Sequence, residues 1–426
     1  MLLLFIAVLF VRPGDFFEVL ADVPIAKTLT GISVMMVLAG KLIRRDLSIA
    51  KSHYNPWMGA LTFAVIVSAL HSSDRSESMI FFNNVYVKIV VVWFLMMETI
   101  DTRRRTVAFQ VTIAVMTGCI AAYSIWAKFT ATNLIEGSRS AFVGLLADPN
   151  DLAMTLLMSV PFLVEATLSP KMRLSRPLWL LLLLLHLGGL IATQSRGGLL
   201  GLGAGLFVLM KMRIQSWTIV AAICAAGLAA LVTVAGIGER QTTVSHQGGM
   251  DASAQGRIDA WIAGARMLAY NPITGVGLFT VHTNYSAYAV NPVDWRPKTS
   301  HNAFVQCAAE TGLLGITPFV TLVLLAAWSG LRLLREIPHE ASPLERAFLR
   351  SQLATHAAVM VAAFFLSVAW SWFFYIIVAQ LATSHRVWLT MPEVLESHRA
   401  ATKVFSAERT SAIARSALAP SPPALA

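Results

Sequence analysis

Four short polar stretches interrupt a largely apolar chain, and their residue types suit anion binding and proton transfer. The first is Ser195-Arg196-Gly197-Gly198, which ends one apolar segment and begins the next. The free N–H groups at the start of a helix favour anions, and a guanidinium beside them makes a receptor for phosphate or pyrophosphate. The alternative is that Arg196 only extends its charge to the lipid head groups at the membrane surface.

The second stretch, residues 256–268, has the apolar periodicity of an amphipathic helix that lies on a membrane or packs on a helix bundle. The apolar positions are 258, 261, 262, 265 and 268. Arg257 and Arg266 fall near opposite ends of this helix, so one could bind an anion while the other contacts lipid. A surface helix without a ligand explains the spacing equally well. Turn residues at 271–272 and 275–277 are expected to end the helix.

The third stretch contains Thr299, Ser300, His301 and Asn302, directly before a long apolar segment. Ser300 or Thr299 is expected to cap the helix that follows, which puts His301 at a helix N-terminus. The helix dipole disfavours an imidazolium there, and a neutral ring can act as a general base. The alternative is a histidine that only caps the helix or marks the interface.

The fourth stretch is Asp148-Pro149, preceded by Arg139. An aspartate followed by proline is typical of a helix start, with the carboxylate as the N-cap and the proline at the first helical position. That structural interpretation is favoured for Asp148. Arg139, in the preceding polar segment, could add positive charge to the same region.

Composition indicates what must position these groups. The chain has 426 residues, of which 56% are hydrophobic and only 13% charged, whereas soluble domains carry about 25% charged residues. A bilayer-spanning helix needs about 20 apolar residues. The sequence therefore predicts an all-α polytopic membrane protein with about 12 transmembrane helices, at 1–11, 24–40, 56–70, 79–98, 105–127, 148–168, 177–194, 197–211, 217–236, 303–331, 352–369 and 371–387.

The distribution of lysine and arginine predicts the orientation. With both termini in the cytoplasm, every short cytoplasmic segment is basic, as the positive-inside rule expects. The net charge of +10 then reflects topology and contact with anionic lipids, and nucleic acid is not expected as a partner. The predicted regions are nine helices over 1–236, a periplasmic loop with an amphipathic helix over 237–302, three helices over 303–388 and a partly disordered cytoplasmic tail over 389–426.

Several other features are expected to be structural. The first span is short and begins at Met1, so it is either a true short span or a start assigned too late, and no cleavage site follows it. Cys119, Cys224 and Cys307 lie in or beside apolar spans and suggest neither disulfides nor a zinc site. Gly197, Gly201 and Gly205 predict a face for close helix packing. Signatures of ATPases, zinc hydrolases and metal-dependent nucleotide-sugar transferases are absent from the sequence.

The polar motifs together resemble the O-antigen ligase and polymerase superfamily of bacterial envelope proteins. The resemblance covers about 140–320 and rests on the order and sidedness of its motifs. These are Asp148-Pro149-Asn150, Ser195-Arg196-Gly197-Gly198, Arg257-x-x-x-Trp261-x-x-Gly264, Pro272-x-x-Gly275-x-Gly277, Ser300-His301-Asn302 and Glu310-x-Gly312-x-x-Gly315.

The resemblance implies a metal-independent glycosyltransferase of the inner membrane that needs no cofactor. Its donor would be a glycan on undecaprenyl pyrophosphate, used in lipopolysaccharide or surface polysaccharide biosynthesis. Arg196 and Arg257 match the arginines thought to hold the pyrophosphate. His301 matches the histidine thought to activate the acceptor hydroxyl, which attacks the anomeric carbon with inversion. Asp259 and Glu310 are weaker candidates, as residues that orient these groups.

Several functions remain open at this point. A lipid A core acceptor would make the protein a ligase, a second lipid-linked glycan a polymerase, and a protein side chain an O-oligosaccharyltransferase. The ligase is favoured, because a loop of fewer than 70 residues offers no evident protein-binding module. A transporter of lipid-linked glycans is the alternative from another class. It would need charged residues along a path through the membrane, for which Lys88 is the main candidate and Glu165 a second.

Overall fold

The long apolar segments fold as α-helices, because a backbone surrounded by lipid can satisfy its N–H and C=O groups only within the helix itself. The computed structural model describes residues 1–16, 18–21, 23–234, 252–290, 298–338 and 340–390. Within these ranges the helices are α1 Leu2–Val11, α2 Glu18–Ala21, α3 Ile25–Arg44, α4 Asn55–Leu70, α5 Arg75–Phe81, α6 Val87–Thr99, α7 Arg103–Thr130, α8 Pro149–Leu157, α9 Val160–Leu168, α10 Arg176–Thr193, α11 Arg196–Lys211, α12 Trp217–Val234, α13 Ala252–Tyr270, α14 Val281–Tyr288, α15 Ala303–Arg335, α16 Pro343–Ala363 and α17 Trp372–His385.

Each of the twelve predicted spans overlaps one or two of these helices, as expected for a mostly helical membrane protein. Six helical stretches in the described ranges are long and apolar enough to cross a bilayer, and the count of twelve crossings stays a prediction. These six are Ile25–Arg44, Arg75–Thr99, Arg103–Thr130, Pro149–Leu168, Arg176–Thr193 and Ala303–Arg335. The predicted tail over 389–426 and the beginning of the predicted loop lie almost wholly outside the described residues.

Two details differ from the sequence prediction. The prediction of helices alone is incomplete, because a two-stranded hairpin, β1 Leu134–Ile135 and β2 Arg139–Ser140, lies between α7 and α8. Its turn uses positive φ angles at Glu136 and Gly137, a conformation that suits tight hairpins. The predicted span at 352–369 is also displaced: α16 ends at Ala363, and residues 364–371 form a linker before α17.

The glycine stripe on α11 brings this helix close to α16. A Cβ on Gly201 would lie 2.6 Å from the Ala358 carbonyl oxygen, and a Cβ on Gly205 would lie 3.0 Å from the Ala358 Cβ. Small residues allow helix backbones to approach closely within a membrane bundle. The packing role predicted for the stripe is therefore confirmed. It fixes α11, and with it the Arg196 turn, against the end of α16.

The centre of the bundle is α17, in which every residue from Trp372 to His385 is buried. A helix that is apolar on all sides belongs in the interior. Its buried Gln380 donates a hydrogen bond from Nε2 to Oε1 of Gln110 at 2.6 Å, so these two amide groups satisfy each other. Because α17 is central, the linker that precedes it enters the bundle next to the beginning of α15.

α15 is broken at Gly312, where φ is 62° and ψ is −160°. The break leaves main-chain groups free, and the loop after α13 binds them. Val276 N donates to Ala309 O at 2.9 Å, and Leu313 N donates to Pro272 O at 2.7 Å. This exchange joins the sequence motif at 272–277 to the motif at 310–315. Backbone that is not helical is tolerated at membrane depth when protein satisfies it.

Candidate active site

The turn between α10 and α11 is closed by hydrogen bonds around Ser195. Its hydroxyl accepts a hydrogen bond from Gly198 N at 3.1 Å and so caps α11. The same hydroxyl donates to Asn150 Oδ1 at 2.8 Å. Gln194 ends α10 in the left-handed conformation, with φ 49°. Arg196 is the first residue of α11 and half-buried, as expected for a guanidinium held at a helix N-terminus.

Arg139 reaches this turn from the hairpin and is buried. Its Nε donates to Thr193 O at 3.1 Å, and its Nη2 donates to Asn150 Oδ1 at 2.7 Å. Burial lowers the pKa of Arg139 most, repulsion from Arg257 and Arg196 lowers it further, and Asp148 opposes the shift. Arg139 therefore lies within electrostatic reach of Arg196, Arg257 and Asp148, although the four residues come from different parts of the chain.

Asp148 caps α8, as the sequence predicted, with Pro149 at the first helical position. Its Oδ1 accepts hydrogen bonds from the main-chain N of Asn150 at 2.7 Å and from Nδ2 of Asn150 at 2.9 Å. Asn150 in turn accepts from Arg139 and Ser195. This amide thus joins the α8 N-terminus, the hairpin and the α10–α11 turn into one polar layer. The Asp148 side chain remains exposed, so it can act on a ligand as well as on the helix.

α13, which carries Arg257, packs on α15 by a face other than the predicted one. The buried positions are Ala260, Ala263, Gly264 and Met267, whereas Ile262 is exposed. A Cβ on Gly264 would lie 2.4 Å from Val305. The predicted face was wrong because close helix contact selects small residues, while the periodicity argument counted large apolar ones. The helix itself, and its end at Tyr270 before the predicted turn, are observed.

Arg266 and Asp259, the additional candidates on α13, have local partners. Nη1 of Arg266 donates to Ala289 O at 2.7 Å and to Tyr288 O at 3.2 Å, which satisfies carbonyl groups at the end of α14. Asp259 accepts a hydrogen bond from Gln255, one turn earlier on the same helix. These contacts hold Arg266 against the end of α14, and they do not bring Asp259 to the other candidate groups.

His301 is held in place by its main chain. The expected N-cap at Ser300 or Thr299 is wrong: Asn302 caps α15, and its Oδ1 accepts from Phe304 N at 2.9 Å and Val305 N at 3.1 Å. Asparagine is as good an N-cap residue as serine, and Asn302 directly precedes the first residue of α15. His301 therefore precedes the cap, in the left-handed conformation with φ 46°.

The His301 ring is exposed to a cavity rather than packed in the core, yet the surrounding protein still desolvates it. Burial lowers the pKa of His301 most, and repulsion from Arg257 lowers it further, whereas Asp148 raises it. The sequence attributed a neutral His301 ring to the helix dipole, whereas in the structure the main cause of the lowered pKa is burial. Nε2 of His301 lies 3.3 Å from the Thr299 hydroxyl, a geometry that suits a hydrogen bond.

The cavity beside His301 has a volume of about 220 Å³. Its polar lining includes two carboxyl groups from α8, Asp148 and Asp151, and one from α15, Glu310. Glu310 is buried and accepts hydrogen bonds from Phe279 N at 2.8 Å and from the Trp370 indole. The remaining lining residues are Phe279, Val281, His282, Thr299, Ser300, His301, Gln306, Leu366 and Ser367.

Arg257 acts electrostatically on His301 at the wall of this cavity, although none of the three arginines is among the residues that line it. Arg257 is linked electrostatically to both His301 and Arg139, and Arg196 is linked to Arg139. Asp148 likewise acts on both His301 and Arg139, so Arg257 and Asp148 are the two charged groups that influence both of these side chains. A neutral imidazole beside several guanidinium groups can accept a proton while an anionic leaving group is stabilised.

Sequence reasoning missed two residues of this region, Ser367 and Trp370. Both lie in the linker between α16 and α17, which the sequence predicted as part of a span and its turn. Ser367 accepts a hydrogen bond from His301 N at 2.8 Å, and Trp370 donates to Glu310. Two serines and two tryptophans at 367–372 interrupt an apolar run, which was the available signal for an interface linker.

A comparison with protein families identifies a match to part of the chain. A family model described as O-Antigen ligase matches residues 180–320, from within α10 to within α15, and so includes Arg196, Arg257 and His301. No curated protein matches the chain. The resemblance found in the sequence is confirmed, and residues 180–320 belong to the O-antigen ligase and polymerase superfamily of membrane enzymes.

Proposed function

We propose that the protein transfers a glycan from undecaprenyl pyrophosphate to an acceptor hydroxyl at the periplasmic face of the inner membrane. The family and the six long apolar helices support a membrane enzyme that acts on lipid-linked glycans. The observation that carries the proposal is the polar cavity lined by His301, together with the electrostatic action of Arg257 on His301 and of Arg257 and Arg196 on Arg139.

The chemistry follows from these charges. The acceptor hydroxyl attacks the anomeric carbon, the bond from that carbon to the pyrophosphate oxygen breaks, and His301 takes the hydroxyl proton. The polyprenyl pyrophosphate leaves with an additional negative charge. Arg196 and Arg257 stabilise that charge where it develops, and Arg139 supports them from the hairpin. Guanidinium groups supply the positive charge in this scheme, so no metal ion is required.

The acceptor we favour is the core of lipopolysaccharide, which makes the enzyme a ligase. The cavity of about 220 Å³ beside His301 is small. A sugar hydroxyl presented from the membrane surface suits it better than a folded protein does. A polymerase, which joins two lipid-linked glycans, uses the same groups and is the second candidate within the superfamily.

A transfer assay tests the proposal. Purified full-length protein is mixed with a lipid-linked glycan and separate acceptors: lipid A core, a second lipid-linked glycan, and a serine-containing peptide. EDTA is present throughout. We expect product with lipid A core, and a loss of at least 100-fold in Arg196→Ala, Arg257→Ala and His301→Ala, because each removes a group that acts in the transition state.

The matched control is Arg335→Gln, since Arg335 is exposed at the opposite end of α15. It should retain wild-type activity. Full activity in all three site variants would refute the assignment of these residues. Transfer only to the second lipid-linked glycan would make the protein a polymerase. Absence of transfer together with movement of the donor across liposomes would establish the transporter instead.

A further inference from the structure

A second and larger cavity, of about 790 Å³, lies between α1, α3 and α6. Its walls are mainly apolar, with Phe5 and Leu9 from α1 and Val91 and Val92 from α6. The beginning of α17 contributes Trp372. A cavity of this size and lining accommodates a chain of apolar carbon atoms rather than a compact polar ligand.

Three cations line the same cavity: Arg12, Lys27 and Lys88. Arg12 forms an ion pair with Asp15, with its Nε 2.9 Å from Oδ2. Lys27 and Lys88 form no ion pair with the side chains that the structure describes, and Lys27 and Arg12 both repel Lys88. Among the side chains that the structure describes, these three positive groups and the Asp15 carboxylate line the cavity, which gives the described lining an excess of positive charge. Charged residues inside a membrane bundle are costly unless a counter-charge is bound, which makes them candidates for function.

The cations and the apolar walls are arranged in layers along the helices. Arg12 follows the last residue of α1, Lys27 lies in the first turn of α3, and Lys88 lies at the start of α6. Val91 and Val92 come one turn further along α6, and Phe5 and Leu9 lie below Arg12 on α1. The charged layer is therefore at the end of the cavity, and the apolar layer continues into the bundle.

The charged layer is at the same end of the bundle as His301. The Arg12 guanidinium lies against Gly144, which has a φ of 60°. A Cβ atom on Gly144 would overlap this guanidinium. Gly144 begins the short turn that leads to Asp148, which acts electrostatically on His301. Val143 and Leu146 line the larger cavity and Asp148 lines the cavity beside His301, so the segment 143–148 contributes to both.

We propose that this cavity is a second lipid site, which binds a lipid with a phosphorylated head group. The phosphate lies among Arg12, Lys27 and Lys88, and the hydrocarbon chain follows the apolar walls of α1 and α6. Charge complementarity selects a phosphate over a neutral head group, because an uncharged lipid would leave these cations beside the apolar walls without a bound counter-charge. The proposal accounts for Lys88 without a transport path. It does not depend on the glycan-transfer function.

Photo-crosslinking tests the site in the full-length protein, reconstituted in nanodiscs of phosphatidylcholine. The probe is a prenyl monophosphate with a photoreactive group on its chain, and crosslinked peptides are mapped by mass spectrometry. We expect crosslinks within α1 and α6. The double variant Lys27→Gln/Lys88→Gln should reduce their yield at least tenfold. The matched control Arg75→Gln, which removes an exposed cation at the first residue of α5, should leave the yield unchanged.

Competition identifies the lipid and can refute the site. Unlabelled prenyl phosphate and phosphatidylglycerol are added separately, and whichever displaces the probe at lower concentration indicates a polyprenyl or a glycerophospholipid source. Farnesol and inorganic phosphate should compete at least tenfold less well, because each supplies only half of the ligand. Equal competition by farnesol, an unchanged yield in the double variant, or crosslinks confined to α11 and α13 would overturn the proposal.

Discussion

The main-chain N–H of His301 donates a hydrogen bond of 2.8 Å to the Ser367 hydroxyl, which joins the start of α15 to the linker before α17. His301 has a φ of 46°, a conformation that costs a residue with a Cβ free energy and persists only when neighbours hold it. Ser367 is the neighbour that meets this N–H. The linker therefore orients the imidazole through the backbone rather than through a ring nitrogen, while Nε2 lies 3.3 Å from the Thr299 hydroxyl.

Ser367→Ala removes that hydrogen bond without adding bulk. A neutral hydrogen bond contributes about 1 kcal/mol, which corresponds to a factor of about five in a rate. We expect kcat for glycan transfer to fall about fivefold to tenfold, with an unchanged KM for the donor. Ser367→Thr, which keeps the hydroxyl, should restore much of the rate. An equal fall in both variants, or a change in KM alone, would contradict a positioning role.

The pH dependence of transfer tests the charges around His301. The lowered pKa keeps the imidazole neutral at neutral pH, and the base is lost only when the pH falls through that lowered pKa. Arg257→Gln removes a cation that lowers the pKa, so the acid limb should move to higher pH. Asp148→Asn removes an anion that raises it, so the acid limb should move to lower pH. Asparagine also caps helices, and α8 should persist.

These shifts are measured as the pH of half-maximal kcat on the acid side, which separates them from any loss of overall rate. His301→Ala should have no acid limb in the same range. Movement of the limb in one direction for both variants, or no movement in either, would show that another group titrates.

The sequence predicted the helices well because lipid leaves the backbone few alternatives. It also located Arg196 and Asp148 correctly, since a serine or aspartate cap followed by glycine or proline is a local signal. The contacts that complete the site are not local. Thr299 and Ser300 are as suitable for the N-cap of α15 as Asn302, so the sequence alone did not identify the cap. Ser367 contacts His301 only because α17 enters the centre of the bundle. The buried face of α13 depends on where Val305 lies.

Asn150 offers a prediction that separates stability from binding. Its Oδ1 accepts hydrogen bonds from Arg139 at 2.7 Å and from Ser195 at 2.8 Å. Asn150→Ala leaves those donors without this acceptor, which costs about 1–3 kcal/mol. We expect a lower thermal midpoint in detergent, measured by intrinsic tryptophan fluorescence.

Asn150→Asp keeps an acceptor at the same place and adds a negative charge beside Arg139. The thermal midpoint should also fall, because the new carboxylate loses the hydrogen bond from Nδ2 to Asp148 and repels that side chain. In addition, the added carboxylate should compete with an anionic donor for the guanidinium groups. We therefore expect KM for the donor to rise at least tenfold. A wild-type KM in this variant would exclude Arg139 from the binding of the donor.

Gly312 is the position at which the break in α15 can be tested. Its φ of 62° is strained for any other residue, and a Cβ there would lie 2.4 Å from the main-chain carbon of Ile273. The neighbouring atom is backbone, so it cannot move aside without shifting the 272–277 loop that binds the broken helix. Gly312→Ala should therefore destabilise the protein by at least about 2 kcal/mol. It should also lower transfer, because Glu310 and the wall of the cavity move with the break.

Gly203→Ala is the control, since nothing lies within 4 Å of its Cβ position in the middle of α11. Alanine at this position should stabilise the protein by about 0.5–1 kcal/mol. The two variants are compared by thermal midpoint in the same detergent. A midpoint for Gly312→Ala as high as that of Gly203→Ala would mean that α15 runs unbroken through this position, and the link between the two glycine motifs would be lost.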